Sequence, residues 1–196
     1  MVERLRVFSA FAGYGTDNFA LKRLNIPFEC VGFSEIDKYA SKCFEENHCI
    51  KKTMLGEPCV ITPRNYGDIT KIVPTDLPDF DLFTGGFPCQ SFSVAGKGLG
   101  ELDPRGTLFY DIIRICEVKQ PKYIFLENVK GLLSKTHKPT FDKIVSELKR
   151  IGYLVEWKVL NTKKLGIPQN RERVFFVCYR KDLEEGSTTY YPKQKI

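Results

Sequence analysis

The feature that most constrains this chain is its alternation of short apolar runs with segments of helical period. Leu5 to Phe11 reads as a buried strand, and Gly13 and Gly15 end it. A helix is expected from about Thr16 to Leu24, with Thr16 or Asp17 as its cap and Phe19, Ala20 and Leu24 turned inward. Glu29 to Ile36 is a second strand. Asp37 caps a helix carrying Tyr39, Ala40, Cys43 and Phe44 on its apolar face. Residues 48–66 read as loop, with a short strand at Val60 and Ile61. Further strands are expected at Phe80–Phe87, Tyr123–Val129, Tyr153–Asn161 and Arg173–Arg180. Helices from about Thr107 to Val118 and from Thr140 fall between them, and Gly152 stops the last one. Such a pattern predicts an α/β domain with a mostly parallel sheet. In that architecture ligands sit beyond the carboxyl ends of the strands.

Composition narrows the class. Hydrophobic residues make up 42% and charged residues 28%, which suits a globular chain rather than a disordered one. No apolar run approaches the roughly 18 residues that span a bilayer, and the first residues lack the apolar core of a signal peptide. The net charge of +6 permits a polyanionic partner. Seven cysteines at irregular spacing point to reduced thiols. Cys43, His48, Cys49 and Cys59 match no common zinc spacing, so no metal site is expected.

Chemistry concentrates after strand ends. Phe11-Ala12-Gly13-Tyr14-Gly15 is a turn that lets backbone approach a ligand closely. Glu35 lies about 20 positions on, at the end of the second strand, where a carboxylate can accept both hydroxyls of a ribose. Asp68 is a candidate acceptor for an exocyclic amine, although taken alone it is better read as capping or surface solvation. The set suggests an adenosine-type cofactor. Residues 88–106 form a long Gly-, Ser- and charge-rich loop, and loops of that length are usually functional. It opens with Pro88-Cys89-Gln90-Ser91-Phe92-Ser93. Cys89 alone among the cysteines sits where a substrate should arrive, and as a thiolate it is a strong nucleophile. Glu127 ends an apolar strand between Leu126 and Val129, both expected to be buried, which favours a proton donor. The alternative is a carboxylate paired with an arginine. Arg171 and Arg173, in Gln169-Asn170-Arg171-Glu172-Arg173, are candidate cations to lower the Cys89 pKa, with surface charge at a strand start as the alternative.

These four segments, in this order, resemble the motifs of the DNA (cytosine-5) methyltransferases over about residues 5–180. The resemblance implies a class I S-adenosylmethionine-dependent methyltransferase fold, with a seven-stranded sheet whose last strand is antiparallel. It implies S-adenosylmethionine as cofactor, with Phe11, Gly13, Gly15, Glu35, Ile36, Asp68, Ile69 and Pro88 at its pocket. Cys89 would attack carbon 6 of a flipped-out cytosine. Glu127 would hold the pyrimidine edge and protonate nitrogen 3, and Arg171 and Arg173 would hold the base and Glu127. Gln90, Ser91, Ser93, Lys97 and Arg105 would contact base and phosphates as the loop closes.

The family pattern continues beyond Arg173 with a target-recognition domain and two further motifs. The last of these is a helix that packs beside the first strand and completes the cofactor pocket. The sequence ends at Ile196 without them. The expectation is a catalytic domain over residues 1–180 with a polar tail over 181–196. It would be a split or truncated enzyme acting on double-stranded DNA, with a second polypeptide supplying the rest. Two other readings stay open: a non-catalytic protein that keeps the fold, and a methyltransferase of transfer RNA. A cytoplasmic restriction–modification setting is expected by analogy with bacterial and phage relatives, or a nuclear one in a eukaryote. An apolar groove beside the first strand and helix, where the absent helix would dock, is a further expectation.

Overall fold

A computed structural model describes residues 4–48, 50–54, 57–61, 63–88 and 108–183, with backbone alone considered for 50–54 and 57–61. The chain order is β1 (Leu5–Ala10), α1 (Thr16–Arg23), β2 (Phe28–Ser34), α2 (Lys38–His48), β3 (Ile50–Met54), β4 (Glu57–Ile61), β5 (Leu82–Gly86), α3 (Leu108–Lys119), β6 (Tyr123–Val129), α4 (Lys138–Arg150), β7 (Tyr153–Asn161) and β8 (Glu172–Arg180). Six strands form one sheet in the order β2-β1-β5-β6-β8-β7. Strands β2, β1, β5 and β6 are parallel, and β8 runs antiparallel to both β6 and β7. The crossover from β2 back past β1 to β5 creates the switch point at which such sheets bind ligands.

Period-two burial on the strands decides which helices go where. Phe8 and Ala10 of β1, Phe83 of β5, Ile124 and Leu126 of β6, and Val174 and Phe176 of β8 are buried. They share one core with Phe109, Ile112 and Cys116 of α3 and Phe141, Ile144 and Leu148 of α4. Those helical positions are three and four residues apart, the spacing of a single buried stripe. On the opposite face Phe33 of β2 stacks on Phe44 of α2, with ring centroids 4.2 Å apart. Ser9 meets Asp17 of α1 on that face. Burial pushes the Cys30 thiol up to about 11, Cys178 up to about 12 and Cys116 well above the usual thiol value, so all three stay protonated at neutral pH. No helix of the described residues is long and apolar enough to cross a membrane.

The structure corrects the strand count. Among the described residues the main sheet has six strands, not seven. Val60 and Ile61 belong instead to an antiparallel hairpin of β3 and β4, separate from the main sheet. Lys51, Lys52 and Pro58 blur its strand pattern. Outside β2 there is only an isolated bridge between Phe33 and Asn65, made by Phe33 N–H to Arg64 O (3.0 Å) and Tyr66 N–H to Phe33 O (2.8 Å). Pro63 has no N–H to extend that pairing upstream. Gly67, at φ +68°, turns the chain away downstream.

Helix phase is corrected too. Leu24 is 68% exposed and Ala20 is also exposed, whereas Asn18 is fully buried. Asp17 and Asn18 turn toward the sheet, so polar contacts set the rotation of this two-turn helix. Its cap is Gly15 in a left-handed conformation, not Thr16 or Asp17. The expected cap of α2 is present, since Asp37 accepts from Tyr39 N–H (2.9 Å) and Ala40 N–H (2.7 Å). Tyr39, expected inward, is 81% exposed.

Candidate active site

The β1–α1 turn is built from left-handed backbone. Phe11, Gly13 and Gly15 have φ of +52°, +51° and +77°. Glu35, at the end of β2, holds this turn. Gly13 N–H donates to its Oε2 (2.9 Å) and Asp37 N–H to its Oε1 (2.9 Å). Asn65 fixes the Glu35 backbone from the other side, accepting from Glu35 N–H (3.2 Å) and donating to Glu35 O (2.9 Å). Each Glu35 oxygen keeps acceptor capacity beyond its single amide. Ile36, 79% exposed, offers an apolar surface next to that carboxylate.

Asp68 accepts from Thr70 N–H (3.0 Å) and Thr70 Oγ1 (2.8 Å) and so caps a short 3-10 turn. The Thr70 hydroxyl and amide hold its carboxyl below the usual range. This is the capping alternative of the sequence reading, realised on a half-buried side chain. Ile69 is only 3% exposed and packs in the main core, so its side chain offers no surface to a ligand. Arg114 of α3 pins the turn by donating to Ile69 O (3.0 Å) and Ile72 O (2.5 Å).

A cavity of about 530 Å³ opens beyond the carboxyl ends of β1, β5 and β6. That volume falls within the range typical of small-ligand sites. Phe11, Asp17 and Thr84 form one side, and Glu127, Arg171 and Arg173 another. Glu127 Oε1 forms an ion pair with Arg173 Nε at 2.7 Å, with Arg171 Nη2 at 3.8 Å. The sequence reading put Glu127 in an apolar pocket with Val129 buried. Val129 is instead 40% exposed, on the same open sheet face as Glu127, and the carboxylate is met by a guanidinium. Register brings this about: β8 pairs Arg173 with Val129 and Phe175 with Glu127. Thr162 braces the approach to β8, since its Oγ1 accepts from Arg171 N–H (3.2 Å) and its N–H donates to Arg171 O (3.1 Å).

Cavity walls thus bring Phe11, Glu127, Arg171 and Arg173 together. Gly13, Gly15, Glu35, Ile36, Asp68 and Ile69 lie along the neighbouring strand ends and do not line it. Pro88 is described and exposed, just after β5. Cys89, Gln90, Ser91, Ser93, Lys97 and Arg105 lie outside the described residues. Among the described residues no group of three or more His, Cys, Asp or Glu side chains could hold a metal ion.

Two contributors had no role assigned from sequence. Asn128 is buried, and its amide donates to Phe87 O (3.1 Å) while Val129 N–H donates to its Oδ1 (2.8 Å). It therefore ties the end of β6 to the chain leading into Pro88. Asn128→Ala is expected to destabilise the fold by about 1–3 kcal/mol, because Phe87 O loses its buried donor; urea denaturation checks this. Asp17, expected only as a helix cap, instead accepts from Ser9 Oγ (2.6 Å) and from Thr84 Oγ1 inside the cavity wall. Its neighbours Thr16 and Asn18 are polar too, so its sequence context carried no signal.

The model of the C-5 cytosine-specific DNA methylase family matches residues 5–196. The orphan methyltransferase M.SPRI of Bacillus phage SPR is 42% identical over 180 residues, which cover 92% of this chain and 39% of that protein. The type II methyltransferase M.HhaI of Haemophilus parahaemolyticus is 41% identical over 179 residues, covering 91% and 50%. The type II methyltransferase M2.ScrFI of Lactococcus lactis subsp. cremoris is 39% identical over 236 residues, covering 98% and 65%. The chain therefore spans less than two thirds of the length of each of these relatives. Among solved structures, Schizosaccharomyces (S.) pombe Dnmt2 methyltransferase superposes with a TM-score of 0.70 at 24% identity, over 96% of this chain and 52% of that one. A modification methyltransferase from an E. coli prophage gives 0.68 at 20%, over 92% and 48%. These likenesses establish the class I methyltransferase fold. With nearly its whole length matched by the family model, the chain belongs to the C-5 cytosine-specific DNA methylases.

Proposed function

We propose that residues 1–180 are the catalytic domain of a DNA (cytosine-5) methyltransferase that uses S-adenosylmethionine. The observation that carries this reading is the Glu127–Arg173 pair opening on the same cavity as the Phe11 turn. The turn and Glu35 fit the cofactor: backbone approaches closely there, and a carboxylate with spare acceptor capacity stands where ribose hydroxyls need one. Phe11, Gly13, Gly15, Glu35 and Ile36 would hold it. When bound, it supplies an electrophilic methyl group.

The chain's own residues make the base reactive. Carbon 5 of cytosine is a weak nucleophile because the ring is aromatic. Addition of the Cys89 thiolate to carbon 6 removes that aromaticity, and Glu127 delivers a proton to nitrogen 3 as charge builds there. Carbon 5 is then enamine-like. After methylation, carbon 5 gives its proton to water as Cys89 leaves as thiolate, and nitrogen 3 returns its proton to Glu127. Arg173 holds Glu127 in place, with Arg171 beside it. The target base must leave the duplex, at a cost of about a few kcal/mol.

A second polypeptide is part of this proposal. Phe125 (37%), Val129 (40%) and Val177 (43%) are exposed on the sheet face opposite α3 and α4, and Phe125 stacks on Phe175 there. Leu160 of β7 continues this apolar surface at the cavity rim. The face supports docking of the segment that the longer relatives possess. The test is covalent trapping of a duplex oligonucleotide containing 5-fluorocytosine, with the chain alone and with the C-terminal segment of a relative added. The expected result is a trapped adduct that increases strongly on complementation; no adduct under either condition refutes the reading. Transfer RNA in place of the duplex is expected to give none. Glu127→Gln is expected to slow methyl transfer roughly 10²- to 10⁴-fold in the complemented assay, the usual span of an acid–base contribution.

A further inference from the structure

Resting on the cofactor reading above, we propose that Asp17 is a positioning residue that receives the α-ammonium of the methionine half of S-adenosylmethionine. Among the described residues four charged side chains line the cavity: Asp17, Glu127, Arg171 and Arg173. Glu127 has its cations within 4 Å. Among the described residues Asp17 is in no ion pair. Its support is neutral: Ser9 Oγ donates at 2.6 Å and Thr84 Oγ1 also donates, both to Oδ2. Ser9 and Thr84 are 1% and 3% exposed, so both hydroxyls are fixed in the wall between β1 and β5. Within the described residues Oδ1 makes no hydrogen bond, although the side chain borders the cavity.

A fixed carboxylate with one oxygen held and the other open suits a cation that carries N–H donors. The nucleic acid is the poorer partner, since its phosphates repel Asp17 and the cytosine amine, though a donor, carries no charge. A metal ion is poorly served, because the described residues bring no second and third ligating side chain to Asp17. An ammonium has three donors and a full charge. A sulfonium has charge but no N–H. Position agrees: Glu35 stands at the β2 end of the switch point and Asp17 at the β1–β5 side. A ligand with its ribose at Glu35 therefore presents its amino-acid end to Asp17.

The test compares three ligands by saturation-transfer NMR titration of the full chain and of Asp17→Asn, which keeps the shape and the hydroxyl contacts. S-adenosylmethionine and S-adenosylhomocysteine carry the ammonium; 5′-methylthioadenosine lacks it. The expected result is that Asp17→Asn weakens the first two by the same factor, about tenfold to a hundredfold, and leaves 5′-methylthioadenosine unchanged. Retained binding of 5′-methylthioadenosine also shows that the variant folds. Equal loss for all three ligands means a structural role and overturns the proposal. Loss for S-adenosylmethionine alone means that Asp17 senses the sulfonium, which also overturns it, as does no loss. If the unsubstituted chain binds none of the three, the cofactor reading itself falls, and this inference with it.

Discussion

Cys89→Ser is expected to abolish both the 5-fluorocytosine adduct and methyl turnover in the complemented enzyme, while leaving S-adenosylmethionine binding unchanged. The reason is chemical. A cysteine thiol is partly ionised near neutral pH and its thiolate is intrinsically very nucleophilic, whereas a serine hydroxyl needs an adjacent base to be activated. In the proposed mechanism the carboxylate that faces the base is Glu127, and Arg173 is already ion-paired with it. In the proposed mechanism Glu127 serves nitrogen 3 as an acid and does not act as a base toward residue 89. The residues that fit the cofactor lie in the β1–α1 turn and at the end of β2, so its binding does not depend on the thiol. Titration with labelled S-adenosylmethionine and a denaturing gel of the trapped complex check both halves. Turnover by the serine variant would sink the nucleophile assignment.

Gly15→Ala is the second large effect. A Cβ at this position would stand 2.2 Å from His48 Nε2, 2.6 Å from His48 Cδ2 and 2.8 Å from Phe44 Cε2. Neither ring has room to retreat. Phe44 is fully buried against Phe33, and His48 is 4% exposed between Phe19 and Phe44. The backbone adds strain, since φ is +77° and an L side chain is disfavoured there. His48 also holds the turn chemically. Burial, aided by Lys22, keeps its pKa below the usual histidine value, so the ring is neutral at pH 7. A neutral ring can donate from Nε2 to Tyr14 O (3.1 Å) and accept at Nδ1 from Lys22 Nζ (3.5 Å). Displacing it loosens the turn that Gly13 and Glu35 complete. The expected loss is about 2–5 kcal/mol of stability, with weaker cofactor binding. Gly67→Ala is the control: its φ is +68°, but a Cβ there meets nothing within 4 Å. Calorimetric melting of both variants separates the contributions. Equal destabilisation would refute the steric argument.

The same two positions show what could be read from sequence. Gly13 and Gly15 announce a turn because left-handed backbone favours glycine, and that constraint is local. Nothing local announces His48, 33 positions further on, as the wall behind Gly15. Glu127 and Arg173 were legible as partners through the motif resemblance. That β8 sets Arg173 opposite Val129, with the Arg173 side chain returning to Glu127, is a matter of register. The expected burial of Val129 failed because apolar character does not say which face of a strand a helix will cover. Leu24 failed likewise, since the contacts of Asp17 and the burial of Asn18 fix the phase of α1.

By itself the sequence determined the strand–helix alternation of the main sheet, the mostly parallel α/β class and the turn after β1, and it nominated the residue types proposed for cytosine chemistry. Each of these depends on spacing, backbone preference or side-chain chemistry within a few residues. The tertiary structure alone decided that, among the described residues, the main sheet has six strands with a single bridge at Asn65, and that no described element covers the face of β6 and β8 opposite α3 and α4. It alone brought Ser9, Asp17 and Thr84 into one cluster across as many as 75 residues of chain. Strand pairing places those groups together, and the pairing partner of a strand is chosen by the packing of the whole sheet, which no local segment encodes.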